Sequence, residues 1–173
     1  LKKYKIKNYS NSINEKVKKS TKLNIKFYCS NNYIEFEKFK EIYIELMKSK
    51  NAKKNYLFDD DYFKKIRKLD DNLKLFVITL KKEVIGGAIT LESNNISSIH
   101  LSAVKRKYLS TGASVFLRFN IIDFYKKRDF QSINLGGGIS DSKNDSLFKF
   151  KEKFSNEIKD YFIGKCLFNK NIY

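Results

Sequence analysis

The residues best suited to chemistry in this 173-residue chain lie close together near its end. Asn134-Leu135-Gly136-Gly137-Gly138-Ile139-Ser140 precedes Asp145 and the run Ser146-Leu147-Phe148-Lys149-Phe150-Lys151-Glu152-Lys153-Phe154. Three of the seven glycines stand here, after a strand-like run and before an amphipathic helix. A strand that ends in glycines and hands over to a helix leaves backbone N–H groups near a helix N-terminus. Such groups hold negative charge or a developing oxyanion. A lysine on the first turns of that helix would aim a cation at the same place.

Lys151 is the first candidate for that cation. On a helical stripe made by Leu147, Phe150, Lys151 and Phe154 it falls on the inward edge, whereas Lys149 and Lys153 point away. The bland alternative is a solvated lysine among neighbours of its own kind. Gly136, Gly137 and Gly138 would let a substrate backbone or a phosphate come close, or they simply make a tight turn with positive φ. Asn134 and Asp141 flank the loop and could bind hydroxyls or amines. His100 is the only histidine and the only side chain that titrates near neutrality unaided. It could accept a proton at a strand end, or serve as a satisfied structural residue. Ser102 and Tyr108 offer hydroxyl groups nearby.

These residues need elements to position them. Residues 1–12 read as a polar, lysine-rich tail, and 13–173 as one lobe. A basic helix is expected over Ile13–Lys19 and a strand over Leu23–Tyr28, with Leu23, Ile25 and Phe27 on the buried face. Phe36, Phe39, Tyr43, Leu46 and Met47 predict a helix over Tyr33–Ser49. Asp59 is a good N-cap for a second helix carrying Tyr62, Phe63, Ile66 and Leu69 on one side. Strands follow over Leu73–Leu80, Val84–Leu91 and Ile96–Ser102, with Gly86-Gly87 as a bulge or a point of close approach. A long helix over Thr111–Lys127, capped by Ser110, is apolar over a wide arc. Then come a strand at Ser132–Leu135, the glycine loop, the helix Asp145–Phe154, and a closing hairpin (Ile158–Ile163, then Lys165–Phe168).

Composition narrows the classes. With 42% hydrophobic and 15% aromatic residues the chain is globular and not disordered. No apolar run approaches the ~20 residues of a membrane helix, and no secretory signal opens the sequence. Cys29 and Cys166 have no metal-ligand spacing, so a zinc site is not expected, and two lone cysteines fit a reduced cytoplasm. The formal charge of +17 points to an anionic partner: RNA, a nucleotide-linked substrate, a coenzyme, or peripheral contact with a membrane surface. An A/T-rich genome would also write this lysine-heavy composition onto any surface, and both sources stay open. A first residue of Leu1 in place of methionine suggests part of a longer protein.

The element order, an α+β or α/β arrangement with a central, mostly antiparallel mixed sheet flanked by helices, resembles the GNAT acyltransferase fold. At residue level the chain is similar to the FemABX-like, Fem-type branch of that superfamily, the peptidoglycan-bridge aminoacyltransferases. The resemblance rests on Lys16-Val17-Lys18-Lys19, Phe36 to Ala52, Tyr62-Phe63-Lys64-Lys65-Ile66 and His100-Leu101-Ser102-Ala103. It rests most on the Leu-Gly-Gly-Gly, Ser-Leu-Phe and Phe-Lys-x-x-Phe pattern of residues 135–154. It covers residues 13–168 and implies one of two lobes, the second.

Such a resemblance implies transfer of an acyl or aminoacyl group, from acyl-CoA or aminoacyl-tRNA, to an amine on a cell-wall precursor or a sugar. It places Phe150 and Lys151 on the family's Phe-Lys pair, whose lysine stabilises charge at the reacting carbonyl. An ammonium there is worth about 3 kcal/mol, the scale of one oxyanion-hole donor. The segment Arg106 to Ala113 stands where coenzyme-A-dependent relatives carry a pyrophosphate loop. Arg106, Ser110, Thr111 and Gly112 could hold a phosphate there at a helix start. The loop's first glycine is missing, which turns the expectation toward aminoacyl-tRNA, or toward a recognition lobe without catalysis that binds an anionic partner. An RNA-binding module is a third reading, though no recognised RNA motif is present.

Overall fold

The computed structural model describes residues 9–140, 142, 144–155 and 157–160. Helix α1 spans Asn11–Lys22, so the expected tail is helical in its last two residues. Just before it, the Tyr9 ring meets Phe119 and Phe154 edge-on at 5.2 and 6.2 Å. The longer α1 displaces the first strand. Asn24 turns the chain with φ 59, and β1 runs over Lys26–Ser30 instead of Leu23–Tyr28. Leu23 is therefore left exposed while Ile25 is buried.

Helix α2, Tyr33–Ser49, has the bounds that its apolar spacing predicts. Asn32 caps it through Oδ1, which accepts from the Ile34 N–H at 2.8 Å. Helix α3, Asp60–Arg67, is capped by Asp59, whose Oδ1 accepts the Tyr62 N–H at 2.8 Å. Leu69 lies beyond its end and is exposed.

Strands β2 (Leu73–Leu80), β3 (Glu83–Ser93) and β4 (Ile96–Val104) form an antiparallel meander, with β1 on the outer edge of β2. Helix α4, Ala113–Lys126, crosses back to β5, Ser132–Asn134, which lies parallel to β4 and completes a five-stranded sheet in the order β1-β2-β3-β4-β5. Helix α5, Ser146–Glu152, follows the glycine loop. Ile158 to Asp160 have no regular structure, and the rest of the expected closing hairpin, with Cys166, lies outside the described residues.

Both faces of the sheet are covered. On one, Phe36, Phe39, Tyr43 and Phe63 of α2 and α3 pack on Val77, Ile89 and Leu101. On the other, Ile13 of α1 and Phe116, Leu117, Ile121 and Tyr125 of α4 pack on Phe76, Ile78, Ile85 and Ile99, joined by Leu135 and Phe154. Each such side chain contributes about 1.5–3 kcal/mol of transfer free energy.

Gly86 and Gly87 serve both purposes expected of them. The register slips between Ile78 and Thr79, which pair with Gly86 and Val84, so Ile85 is the extra residue of a bulge. A Cβ on Gly87 would stand 2.6 Å from the Phe76 carbonyl oxygen.

The start of α4 differs from the expectation. Arg106–Thr111 form a 3₁₀ segment, and the N-cap of α4 is Gly112, at φ 84, instead of Ser110. Only glycine tolerates this position: a Cβ would lie 2.8 Å from the Lys16 carbonyl oxygen of α1.

The β4–β5 pairing covers Ile96–Ser98 against Ser132–Asn134 and goes no further. Past that point β4 runs on to Val104 while the other strand becomes the glycine loop, so the sheet opens at the carboxyl ends of a parallel pair. Sheets with parallel pairs present their ligand-binding loops at such a place.

Candidate active site

Asn134, the last residue of β5, folds its side chain back. Its Oδ1 accepts the Gly136 N–H at 2.7 Å, and Gly136 takes φ 73. The chain then passes Gly137, around whose Cβ position there is open space, and Gly138, where a Cβ would meet the Asp145 carboxylate at 2.6 Å.

Asp145 holds this loop to α5. Its Oδ1 accepts the Phe148 N–H at 2.7 Å, and its Oδ2 accepts the Ile139 and Ser140 N–H groups at 2.9 and 3.1 Å. Backbone donation, first from Phe148 and then from Ile139, lowers its pKa. Of the loop's backbone donors, those of Ile139 and Ser140 are thus occupied by the chain's own carboxylate. The opening that remains is at Gly136 and Gly137. Asp145→Ala removes both the cap and the clip and is expected to lower the melting temperature by about 2–5 °C in differential scanning calorimetry. A folded carboxyl pKa below the unfolded value makes this contribution present above the ordinary carboxylate range. It is lost as pH falls through the folded pKa.

Lys151 comes in from α5 as its inward-edge position predicts. Its Nζ donates to the Gly137 carbonyl oxygen at 2.7 Å, and a Cβ on Gly136 would be 3.0 Å from it. Burial, then the neighbouring Arg118 charge, bring its pKa down to about 8. Phe150 points into the α4 face, edge-on to Phe154 at 5.5 Å and under the Arg118 guanidinium, which stands 5.5 Å from its ring centre.

Arg118 is the residue that the sequence reading missed. It is only 5% exposed, and its Nε and Nη1 are sealed from solvent without an acceptor. Desolvation lowers its pKa to about 10, so it is still a cation at neutral pH. A signal was available: one arginine inside a helix that is apolar over most of its circumference.

The structure does not bring His100 to this site. His100 is the unpaired residue of a β4 bulge, since Leu101 faces Ile89 while Ile99 faces Thr90. Its Nε2 is hydrogen-bonded to the Tyr62 hydroxyl of α3, and its ring lies 6.4 Å from that of Phe58. That is the α2–α3 face of the sheet, whereas Lys151 stands with α5 on the α4 face. Desolvation lowers the His100 pKa and favours neutral imidazole. Ser102, half-buried, pairs with Ala88.

Tyr108 is tied elsewhere, its hydroxyl donating to Glu83 Oε2 at 2.6 Å. Lys105 pairs with Glu83 Oε1 at 2.8 Å, and hydrogen bonds from Lys105 and Tyr108 pull the Glu83 pKa to about 2. Arg106 and Ser110 are exposed on the 3₁₀ segment. The carbonyls of Ser110 and Thr111 accept from Lys19 Nζ and Ser20 Oγ at 2.8 and 3.0 Å, and the Gly112 N–H donates to Leu109. The Gly112 amide expected to meet a phosphate is therefore taken, and α1 packs on this helix start. Asp141 lies outside the described residues.

Among the described residues no helix is long and apolar enough to cross a membrane. A search of curated proteins gives no match. Solved structures do share the fold. An aminoglycoside acetyltransferase, meta-AAC0020, from an uncultured soil metagenomic sample aligns with a TM-score of 0.59 at 18% identity, covering 84% of this chain and 95% of that one. A ribosomal-protein-alanine N-acetyltransferase from Brucella melitensis biovar Abortus 2308 aligns at 0.60 and 12% identity, covering 84% and 99%. A GNAT-family acetyltransferase from Staphylococcus aureus MU50 aligns at 0.54 and 19% identity, covering 66% and 74%. The acetyltransferase (GNAT) domain family matches residues 7–146, four-fifths of the sequence, and the chain belongs to that family.

Proposed function

We propose that the chain is an N-acyltransferase whose reacting centre lies where Lys151 meets the Gly136–Gly137 turn. The observation that carries this reading is the 2.7 Å bond from Lys151 Nζ to the Gly137 carbonyl oxygen. It fixes a half-buried ammonium beside open backbone, at the place where the sheet opens. An acceptor amine attacks the acyl carbonyl carbon directly, and no covalent enzyme intermediate is needed. Negative charge grows on the carbonyl oxygen as the tetrahedral centre forms. The lysine ammonium, desolvated and held in advance, stabilises that charge more than water would. Open space at Gly137 lets the substrate carbonyl come near. As the C–N bond forms, the bond from the carbonyl carbon to the donor's oxygen or sulfur breaks, and the amine proton passes, directly or through solvent, to that leaving atom, so the donor departs as alcohol or thiol. His100, on the other sheet face, is assigned to holding α3 against β4.

For the donor we favour aminoacyl-tRNA, as in the Fem-type transferases, over acyl-CoA. The supporting observation is the start of α4: the Gly112 N–H is taken and α1 lies against it. Lys16, Lys18, Lys19 and Lys22 make α1 a basic surface suited to a polyanion. The acceptor in this reading is the amine of a cell-wall precursor, and its acylation takes place in the cytoplasm. The test is to incubate the protein with acetyl-CoA or with charged tRNA and a panel of amines, and to detect the acylated amine by mass spectrometry. Acylation from charged tRNA supports the full reading. Acylation from acetyl-CoA alone corrects the donor, and an intact donor in every arm overturns the proposal.

A further inference from the structure

Arg118 has no described role in folding that its burial explains. A guanidinium withdrawn from water is costly unless paired, yet two of its three nitrogens face no acceptor. Its one described cation–π contact, to Phe150, offsets only part of that cost. The neighbouring ionised group is a second cation, Lys151, whose pKa the Arg118 charge helps to lower. Among the described residues, the carboxylate acting on Lys151 is that of Asp145, which accepts from three backbone amides. The site therefore holds two positive charges and spare donors, including those Lys151 protons that Gly137 does not take.

We infer that Arg118 and Lys151 together form a receptor for an oxyanion, a carboxylate or a phosphate group of the substrate, held between α4 and α5 beside the glycine turn. A guanidinium suits both anions, because its planar N–H groups match paired oxygens. Substrates with an acidic group a few bonds from the reacting carbonyl or amine would be selected over neutral ones. Arg118 is here a binding residue, and Lys151 acts both on the anion and on the reaction. The inference places this anchor at the proposed acyl-transfer site, but its test needs no acyl donor.

The test follows the Lys151 side-chain NMR signal, assigned by its loss in Lys151→Arg, through a pH titration at constant ionic strength. Millimolar inorganic phosphate and millimolar acetate are the two probes. An oxyanion between the cations raises the Lys151 titration midpoint by about half a unit or more. Phosphate alone doing so identifies a phosphate group, and acetate doing so identifies a carboxylate. In Arg118→Met the shift should vanish, while the midpoint without added anion rises because the repelling charge is gone. Arg118→Lys, which keeps the charge and loses the paired N–H geometry, should retain less than half of the shift and stands in if the methionine variant does not fold. An unchanged midpoint with both anions overturns the proposal, as does an equal shift in Arg118→Met. Acyl transfer without anion binding would refute this inference alone, and anion binding without acyl transfer would refute only the proposed function.

Discussion

Replacing Lys151 by methionine is expected to lower kcat about 10²–10³-fold and to leave the melting temperature unchanged or higher. Methionine keeps the length of the apolar stem and removes the charge. The rate loss follows from the place of Nζ, 2.7 Å from the Gly137 carbonyl oxygen and beside a glycine whose Cβ position has open surroundings. The stability effect has the opposite sign from the usual loss of a contact. Lys151 is desolvated and stands beside Arg118, so its charged form is disfavoured in the folded state. A base whose folded pKa lies below its unfolded value weakens the fold while both states are charged. Stability then rises as pH climbs from about 8 toward the ordinary lysine value of about 10.4. Stopped-flow or steady-state rates with calorimetry on the same preparation separate the two effects. A variant with full rate and a lower melting temperature would make Lys151 a structural residue.

The second large effect is expected at Gly112. Alanine there must adopt φ 84, which costs about 1–2 kcal/mol for an L-residue. Its Cβ would also press on Lys16, 2.8 Å from the carbonyl oxygen and 3.2 Å from Cα. That is backbone and cannot rotate away, so α1 must shift, at a further cost of about 1–3 kcal/mol. A total of about 2–5 kcal/mol lowers the melting temperature by roughly 4–20 °C in a chain of this size. Gly137→Ala is the control, since its Cβ meets nothing within 4 Å and its melting temperature should stay within about 2 °C. A Gly112→Ala protein as stable as the control would show that α1 does not need this close approach.

Gly112 also shows where sequence patterns stop being informative. A glycine before a helix fits a phosphate loop, an N-cap or a close crossing, and only the position of α1 decides among them. The same holds for His100. Its place on β4 was readable from the alternation of Leu101 and Ala103, but the face it occupies depends on a bulge that no local signal marks. By contrast, α2 was legible from its one buried stripe, Phe36, Phe39, Tyr43, Leu46 and Met47, and the Asn32 cap seen in the structure marks the same start. The inward edge of α5 was legible for the same reason: Leu147, Phe150 and Phe154 fix the stripe, and Lys151 follows. Arg118 was passed over because an arginine between Leu117 and Phe119 ordinarily marks the wet side of a helix, and the wide apolar arc around it was the signal against that reading. In the fold its guanidinium lies 5.5 Å from the ring centre of Phe150 on α5, 32 positions further on.

The central claim is that a desolvated Lys151 ammonium beside the glycine turn stabilises charge during acyl transfer. The most direct test is the pH dependence of kcat/KM for acylation, which reports ionisations of the free enzyme. The account predicts a descending limb with a midpoint near 8, the value to which burial and Arg118 bring Lys151, and its disappearance in Lys151→Met. A rate that instead rises to a plateau through that range, or a profile identical in the two proteins, would contradict it.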